Sequence, residues 1–503
     1  MKRNIIYILL LGILSTSIVS CTETIEAMDE NYPEENLSPE EEEDETEDDE
    51  EVDDEDDENV EENEGNEDED GEEEDKENDK DEDNLYPDAK YATVDFSTNN
   101  LVSSKTADQS AKLQAIFDEY SAQGGGYLIL PAGEYAFINV YMRSNIHLKV
   151  DEGATLYPYY SSSLSRNANG ELPIGNMLTF AQSTNTSSAE YIEDCSISSL
   201  NGGRYTVDFR DIEYGVLQQV RFIVCRMVRN FQISDFNIED NCTKYCALIF
   251  SPSMDQSCAS WAVSRPTDGI VKNCSTFNAA SGYGLMQFHG ALRLEFDNLY
   301  AEGGVAFRLE PDITGSTHGI YDLKATNISA KNARAAVMFS PHTATNGTIT
   351  IDGVRAESCS FGVLINAGFI DSDNTNNPDA ILGSYANDSS VSNIHIIYGT
   401  KGQSDAQQIY AMTPDDDKYA LFEHCYYGDP SSTLTYVGPS LAAIFDTTGY
   451  YDATNTAISY LVTCTNITSE GFPDHENSVL YDWEIADRYS SRWSIVNSLP
   501  CNL

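Results

Sequence analysis

The sequence predicts an all-β chain wound as a parallel β-helix, with one short helix capping its first coil. Three observations lead there. Short segments such as LRLEFDNLYAEG, GIYDLKATNISA and ITIDGVRAESCS alternate apolar and polar residues with period two, the pattern of half-buried strands. Such segments recur at a near-constant interval, 24 residues from Ile270 to Leu294 and 26 from Leu294 to Ile320, within the range of repeat architectures. Asn, Asp, Gly and Ser sit between them, residues that tolerate tight left-handed turns. A β-sandwich accommodates the alternation but explains neither the spacing nor the opening segment.

The opening segment carries the cap. In KTADQSAKLQAIFDEYSAQGGG, Leu113, Ile116, Phe117 and Tyr120 have helical spacing, and the glycines at 124–126 end the helix. YLILPAGEY then reads as strand, turn, strand. In SNIHLKVDEGATLYP, Ile146, Leu148 and Val150 alternate with His147, Lys149 and Asp151. GGGYLILPAGEY and SNIHLKVDEGATL resemble the entry to right-handed parallel β-helix enzymes of the pectate-lyase-like type. That resemblance implies the architecture, not the activity, because one fold hosts many chemistries.

The first 87 residues stand outside the fold. Residues 1–21 pair Lys2 and Arg3 with an apolar run that is short for a spanning helix. The IVSC that ends them resembles a bacterial lipobox, which implies Cys21 as a lipidation site; an ordinary secretory signal is the alternative. Residues 22–87 form an acidic tether: from Glu41 to Asp83 there are 32 acids and 2 lysines, a run that repels itself and buries nothing. Acids soon after a lipidated Cys resemble the surface-export signal of Bacteroidetes-type lipoproteins, implying an outer-membrane protein exposed at the cell surface. Residues 88–503 are then the β-helix domain, in which stacked coils allow a length beyond the usual single domain.

The formal net charge of −57, with no basic stripe, excludes nucleic acid as a partner class. Export permits disulfides, and Cys242 with Cys246, and Cys464 with Cys501, have suitable spacing. The cysteines match no zinc pattern and the acids no EF-hand spacing. No organic cofactor is expected, and a structural calcium or sodium ion stays open.

The stretch GGVAFRLEPD, residues 303–312, poses the chemical question. On a strand, Val305, Phe307 and Leu309 face the coil interior while Arg308, Glu310 and Asp312 face out together. Two residues along a strand span about 6.5–7 Å, the lower edge of the separation that leaves room for water in an inverting glycosidase. The pKa of an acid at Glu310 would be raised by Asp312 and by partial burial, against the pull of Arg308. Neighbouring coils add an outward row: Gln287 and His289 in GYGLMQFHG, with Met286 and Phe288 inside; Met338, Ser340 and His342 in RAAVMFSPH, with Val337 and Phe339 inside; and Asn366 after Val363 and Ile365. Such a polar row suits a sugar groove, and the turn-rich stretch 370–390 is either a groove wall or a disordered loop.

The region QFHGALRLEFDNLYAEGGVAFRLEPD resembles the catalytic segment of the iota-carrageenases, β-helix endo-hydrolases of marine Bacteroidetes. They cut β-1,4 linkages of a sulfated red-algal galactan with inversion. The resemblance implies Glu310 as proton donor, Asp312 as base, Gln287 as the residue holding an ion (a halide among the options) or the nucleophilic water, and His342 as a further active-site histidine. A monomer is expected, and the implied substrate is a polyanion, so arginines must meet the sulfates. Arg308 and Arg293 are the nearest candidates, and Arg204, Arg210, Arg221, Arg226 and Arg229 lie in earlier coils. Tyr283, Trp261 and Tyr321 are candidate sugar platforms. A polysaccharide lyase and a non-catalytic glycan-binding adhesin are the alternatives. The first lacks a three-acid calcium cluster, and an arginine is a poor proton abstractor because it stays protonated. The second leaves the carboxylate pair without a use.

Overall fold

The computed structural model describes residues 92–95 and 101–485, apart from 161–163, 168–171, 183–189, 213–218, 253–263, 312–318, 371–379, 406–407, 410–411, 414–419, 425–435, 449–458 and 474–476. The chain winds as a right-handed parallel β-helix. Its coils are joined by parallel ladders such as Ile192–Ser199 with Val228–Glu239, Val228–Glu239 with Thr267–Phe288, and Thr267–Phe288 with Ala291–Leu309.

The cap is the helix Ser110–Ala122, which buries Leu113, Ile116 and Phe117 against the first coil. It stops where Gly124 and Gly125 take positive φ, a conformation glycine adopts without steric cost. The strands Gly126–Leu130, Gly133–Phe137, Ile146–Val150 and Ala154–Pro158 follow, as the alternation predicts. His147 is buried, not exposed between its apolar neighbours, and bonds Ser196 Oγ through Nδ1 at 3.0 Å.

One corner of the coil is built from a side-chain ladder. Asp235, Asn273, Asn298, Asn327, Asn393 and Asn466 all have positive φ. Asn273 donates to Asp235 at 2.8 Å, Asn298 to Asn273 at 2.7 Å, and Asn466 to Asn393 at 3.1 Å. Short amides tolerate this backbone and satisfy one another across coils. The spacing is less regular than the apolar residues suggest. Asn273 and Asn298 are 25 residues apart, but Asn393 and Asn466 are 73 apart.

A second departure sits at the corner before the third face of each coil. Ala306 and Phe307 both join the main core, as do Ala336 and Val337, and Leu285 and Met286. Strict alternation breaks there, so Val305 lies outside the coil, contrary to expectation. It packs in a second cluster with Ala335, Met338, Phe361, Leu364 and Phe445. That outer cluster is covered by Ile409, Met412, Phe422 and Tyr436, from the segment that forms a small antiparallel sheet of Gly402–Ser404, Glu423–His424 and Tyr436–Gly438. Inside, Phe288 stacks on Phe250 at 4.9 Å and meets Phe307 at 4.7 Å and Phe296 at 5.2 Å. Burying each such ring is worth about 1.5–3 kcal/mol, and this aromatic ladder backs the strand that ends in Glu310.

Cys242 and Cys246 are both free thiols, as is Cys464, so the expected Cys242–Cys246 disulfide is not formed. The small separation along the chain is overridden by Cys242, at positive φ, donating to the Asn278 carbonyl. Cys21, Trp261 and Cys501 lie outside the described residues. No described helix is long and apolar enough to cross a membrane.

Candidate active site

The site grows from the third face of the coil. There the strands Gly175–Phe180, Val220–Cys225, Leu248–Phe250, Thr267–Phe288, Ala291–Leu309, Ala335–Phe339, Phe361–Ile365 and Ala442–Asp446 stack in order. Pairing of Val224 with Ile249, Ile249 with Gln287, Gln287 with Arg308, Arg308 with Met338 and Met338 with Leu364 sets one outward row. The next row continues past the strand ends. The backbone N–H groups of Arg226, Ser251, His289, Glu310, Ser340 and Asn366 each donate to the preceding coil, to Phe180, Cys225, Phe250, Phe288, Leu309 and Phe339 respectively. The polar row expected from period two is therefore assembled, with Gln287, His289, Arg308, Glu310, Ser340 and Asn366 on one face.

Its centre is Glu310. Gln287 Nε2 donates to Oε2 at 3.0 Å, and Arg308 bridges the same oxygen at 2.5 Å. His342 Nε2 lies 3.2 Å from Oε1. His342 has positive φ, and its carbonyl accepts from Phe369 and Gly383 while the Phe369 ring packs on its imidazole at 4.4 Å. Both described ends of the 370–390 excursion thus close on His342.

Glu310 is 4% exposed, so the expectation of an open outward carboxylate is corrected: the register holds, but the side chain is covered and fully bonded. Its pKa also departs from expectation. Burial pushes the carboxyl up, but the Arg308 guanidinium and then the His342 hydrogen bond outweigh it and hold it at about 2. Glu310 is therefore ionised here. His289 is the reverse case: burial, then repulsion by Arg221, pushes its imidazole down to about 3, and the ring is neutral. Asp312 lies outside the described residues.

Several expected contacts fall elsewhere. Arg293 sits on another face of the coil, in the part of its strand paired with Thr267 and Ile320, and forks onto Asp268 at 2.6 and 2.8 Å. The sequence hid this because one 19-residue strand bends through two faces. Arg210 binds Asp208, Arg229 binds Glu193, and Arg204 donates to Asn237 and Ser275. Of the earlier-coil arginines, Arg221 and Arg226 reach the face that carries Glu310. Tyr283 is buried in an outward bulge, edge-on to Tyr245 at 5.8 Å, not an open sugar platform. Tyr321 hydrogen-bonds Thr345 and underlies Arg265 at 4.7 Å.

Sequence reasoning missed Gly284. Its φ is +130°, and a Cβ there would lie 2.2 Å from the Val305 carbonyl oxygen. That close approach follows the bulge that exposes the Gly282 carbonyl, which accepts from Arg308. The YGL flanked by apolar strand residues was the available signal. Among the described residues no group of three or more His, Cys, Asp or Glu side chains is placed to hold a metal ion.

No family model matches the chain. The iota-carrageenase of Zobellia galactanivorans is 36% identical over 269 residues, 52% of this chain and 50% of that one. The iota-carrageenase of Alteromonas macleodii is 30% identical over 292 residues, 56% of this chain and 54% of that one. The chain spans about half the length of these curated relatives. Among solved structures, a 1,3-α-1,4-β-D-galactose-4-sulfate-3,6-anhydro-D-galactose-2-sulfate 4-galactohydrolase superposes with TM-score 0.66 at 24% identity, covering 81% of this chain and 93% of that one. An iota-carrageenase from A. fortis gives TM-score 0.66 at 22% identity, covering 79% and 91%. Over the matched half, the chain is homologous in sequence to the iota-carrageenases, and it shares with their solved structures the right-handed parallel β-helix fold.

Proposed function

We propose that the chain is an endo-acting, inverting glycoside hydrolase that cleaves β-1,4 linkages of a sulfated red-algal galactan, with iota-carrageenan as substrate. The observation that carries the reading is the Gln287–Glu310–His342 cluster on an outward coil face, in a chain similar to proteins of that activity. In the reaction one carboxyl gives its proton to the leaving glycosidic oxygen as the C–O bond breaks. The other takes a proton from the water that attacks the anomeric carbon.

Glu310 as proton donor requires the charge of Arg308 to be drawn off, and a substrate sulfate beside Arg308 does this. The ionised state found here favours a second reading, in which Glu310 is the base and Asp312 the acid. Leaving-group and nucleophile rescue separates the two. A substrate with a good leaving group restores the acid variant, and azide restores the base variant. Loss of either carboxylate lowers kcat by about 10²–10⁴-fold. If E310Q and D312N both keep full activity on iota-carrageenan, the site is wrong. Unsaturated products would replace hydrolysis with a lyase reaction, and binding without cleavage would leave the adhesin.

The reading includes a monomer, tethered through lipid on Cys21 to the outer membrane and facing outward. Mass analysis of the mature chain from a lipoprotein-processing host tests the anchor. A structural calcium or sodium ion and an active-site halide are its ionic companions, to be counted by elemental analysis.

A further inference from the structure

Arg221 is a cation in an unusual position. It is 7% exposed. Among the described residues it has no ion pair, and its Nε has no hydrogen-bond partner. Its guanidinium lies over the Tyr245 ring at 4.0 Å, and Tyr245 in turn meets Tyr283. A cation on an aromatic face gains only a modest stabilisation. Burying a charge without a counter-charge costs more than that. Burial pushes the guanidinium pKa down, as that cost requires. The other arginines on the earlier coils show the contrast: Arg204, Arg210 and Arg229 each hold a hydrogen-bond or carboxylate partner.

The surroundings add positive charge. Arg221 and Arg308 both act on the Cys246 thiol and on the His289 ring. Glu310 compensates one of these two guanidiniums, and His289 is neutral with an unpartnered, enclosed Nε2. Among the described residues one buried positive charge is left over, with N–H donors on Arg221 to direct at a ligand. Ile409, Met412, Phe422 and Tyr436 cover the outer side of the coils after Glu310, and Val437 packs against the Tyr245–Tyr283 group beside Arg221. Arg221 lies three strands before Glu310, about 14 Å at the usual strand spacing.

We propose that Arg221, stacked on Tyr245, is an oxyanion seat that takes a sulfate half-ester of the polysaccharide on the early-coil side of Glu310. The assignment of that oxyanion to the substrate rests on the proposed function; the seat itself does not. The planar fork of arginine fits a sulfate edge through two N–H groups, and its stacked face fixes the plane of approach.

The test uses R221M and R221K in the full chain, with inorganic sulfate as probe and sodium chloride at matched ionic strength as reference. Sulfate should raise the Tm of the native protein beyond chloride. R221M should lose that increment while being as stable as the native protein, or more so, without sulfate. Comparison with R221M cancels the general stabilisation by excluded sulfate. On iota-carrageenan, R221M should raise KM about tenfold or more, with the loss in KM rather than kcat, and chemically desulfated polymer should show no such difference. An increment that persists in R221M, or a loss of stability in R221M without sulfate, overturns the proposal in favour of a packing role. An equal, Arg221-dependent increment with chloride overturns it in favour of a halide seat. If R221M does not fold, R221K decides, since it keeps the charge without the fork and should lose most of the increment. If the native protein cleaves no carrageenan, the proposed function falls, and the Arg221 dependence of the sulfate increment still decides the seat.

Discussion

Arg308 and Glu310, two residues apart on one strand, form an ion pair of 2.5 Å whose members are both largely shielded from solvent. A buried pair of this kind is costly to break from one side, because the partner is left charged and unpaired. The pair thus ties the candidate chemistry to the folding energy.

Replacing Glu310 by Gln should therefore destabilise the chain by about 3 kcal/mol, and the effect should depend on pH. The folded carboxyl is held at about 2, below its ordinary 4.5. A depressed carboxylate contributes stability that is complete above pH 4.5 and lost as pH falls towards 2. Its worth is about 3 kcal/mol by linkage. Denaturant titrations of native protein and E310Q should diverge above pH 4.5 and converge near pH 2. A constant difference across that range would refute the ionised carboxylate.

His289 titrates in the opposite chemical sense with the same slope. Its neutral form is kept down to about pH 3 in the folded state, against an ordinary 6.5. The unfolded chain takes the proton first, so stability is full above pH 6.5 and declines as pH falls towards 3. H289Q should flatten this part of the stability profile. Histidine NMR should find the ring neutral at pH 5, and a protonated ring there would contradict the assignment.

Gly284→Ala places a Cβ 2.2 Å from the Val305 carbonyl oxygen at a φ of +130°. Strain and clash together should cost about 3 kcal/mol or more. Because the neighbouring Gly282 carbonyl accepts from Arg308, activity should fall more than folded fraction does. Urea unfolding alongside kcat measures both.

Gln403 clamps two coils from outside: its side chain accepts from Gly304 N at 2.7 Å and donates to the Ala279 carbonyl at 3.2 Å. Q403A leaves both buried backbone groups without that partner, a loss of about 2–4 kcal/mol. Hydrogen exchange should show faster opening at Gly304 than at Phe339. Unchanged protection at Gly304 would show that the clamp is dispensable.

Much of this was legible because a strand reports its faces by parity. Phe288, Gln287, Val337, Met338, Val363 and Asn366 all lie on the sides that alternation assigns. The left-handed corner was legible in its asparagines. Val305 was misplaced because the chain turns two successive residues, Ala306 and Phe307, into the core, and nothing local marks that break. The burial of Glu310 was not legible either, since it depends on Arg308, Gln287 and His342 closing around it from three coils. Arg293 failed for a different reason: proximity along the chain was taken for proximity in space, while the strand rounds a corner between Arg293 and Arg308.

The corner ladder repeats whether 25 or 73 residues separate its rungs. Doubling the length of a loop adds only about 0.6 kcal/mol of closure entropy. The stacked coils therefore behave as a chassis with interchangeable rims, in which the excursions after Asn366 and Ile397 can be lengthened, trimmed or grafted while the carboxylate and its three partners keep their places. Ligand preference in such a molecule is free to drift at its borders, with the chemistry anchored in the ladder beneath.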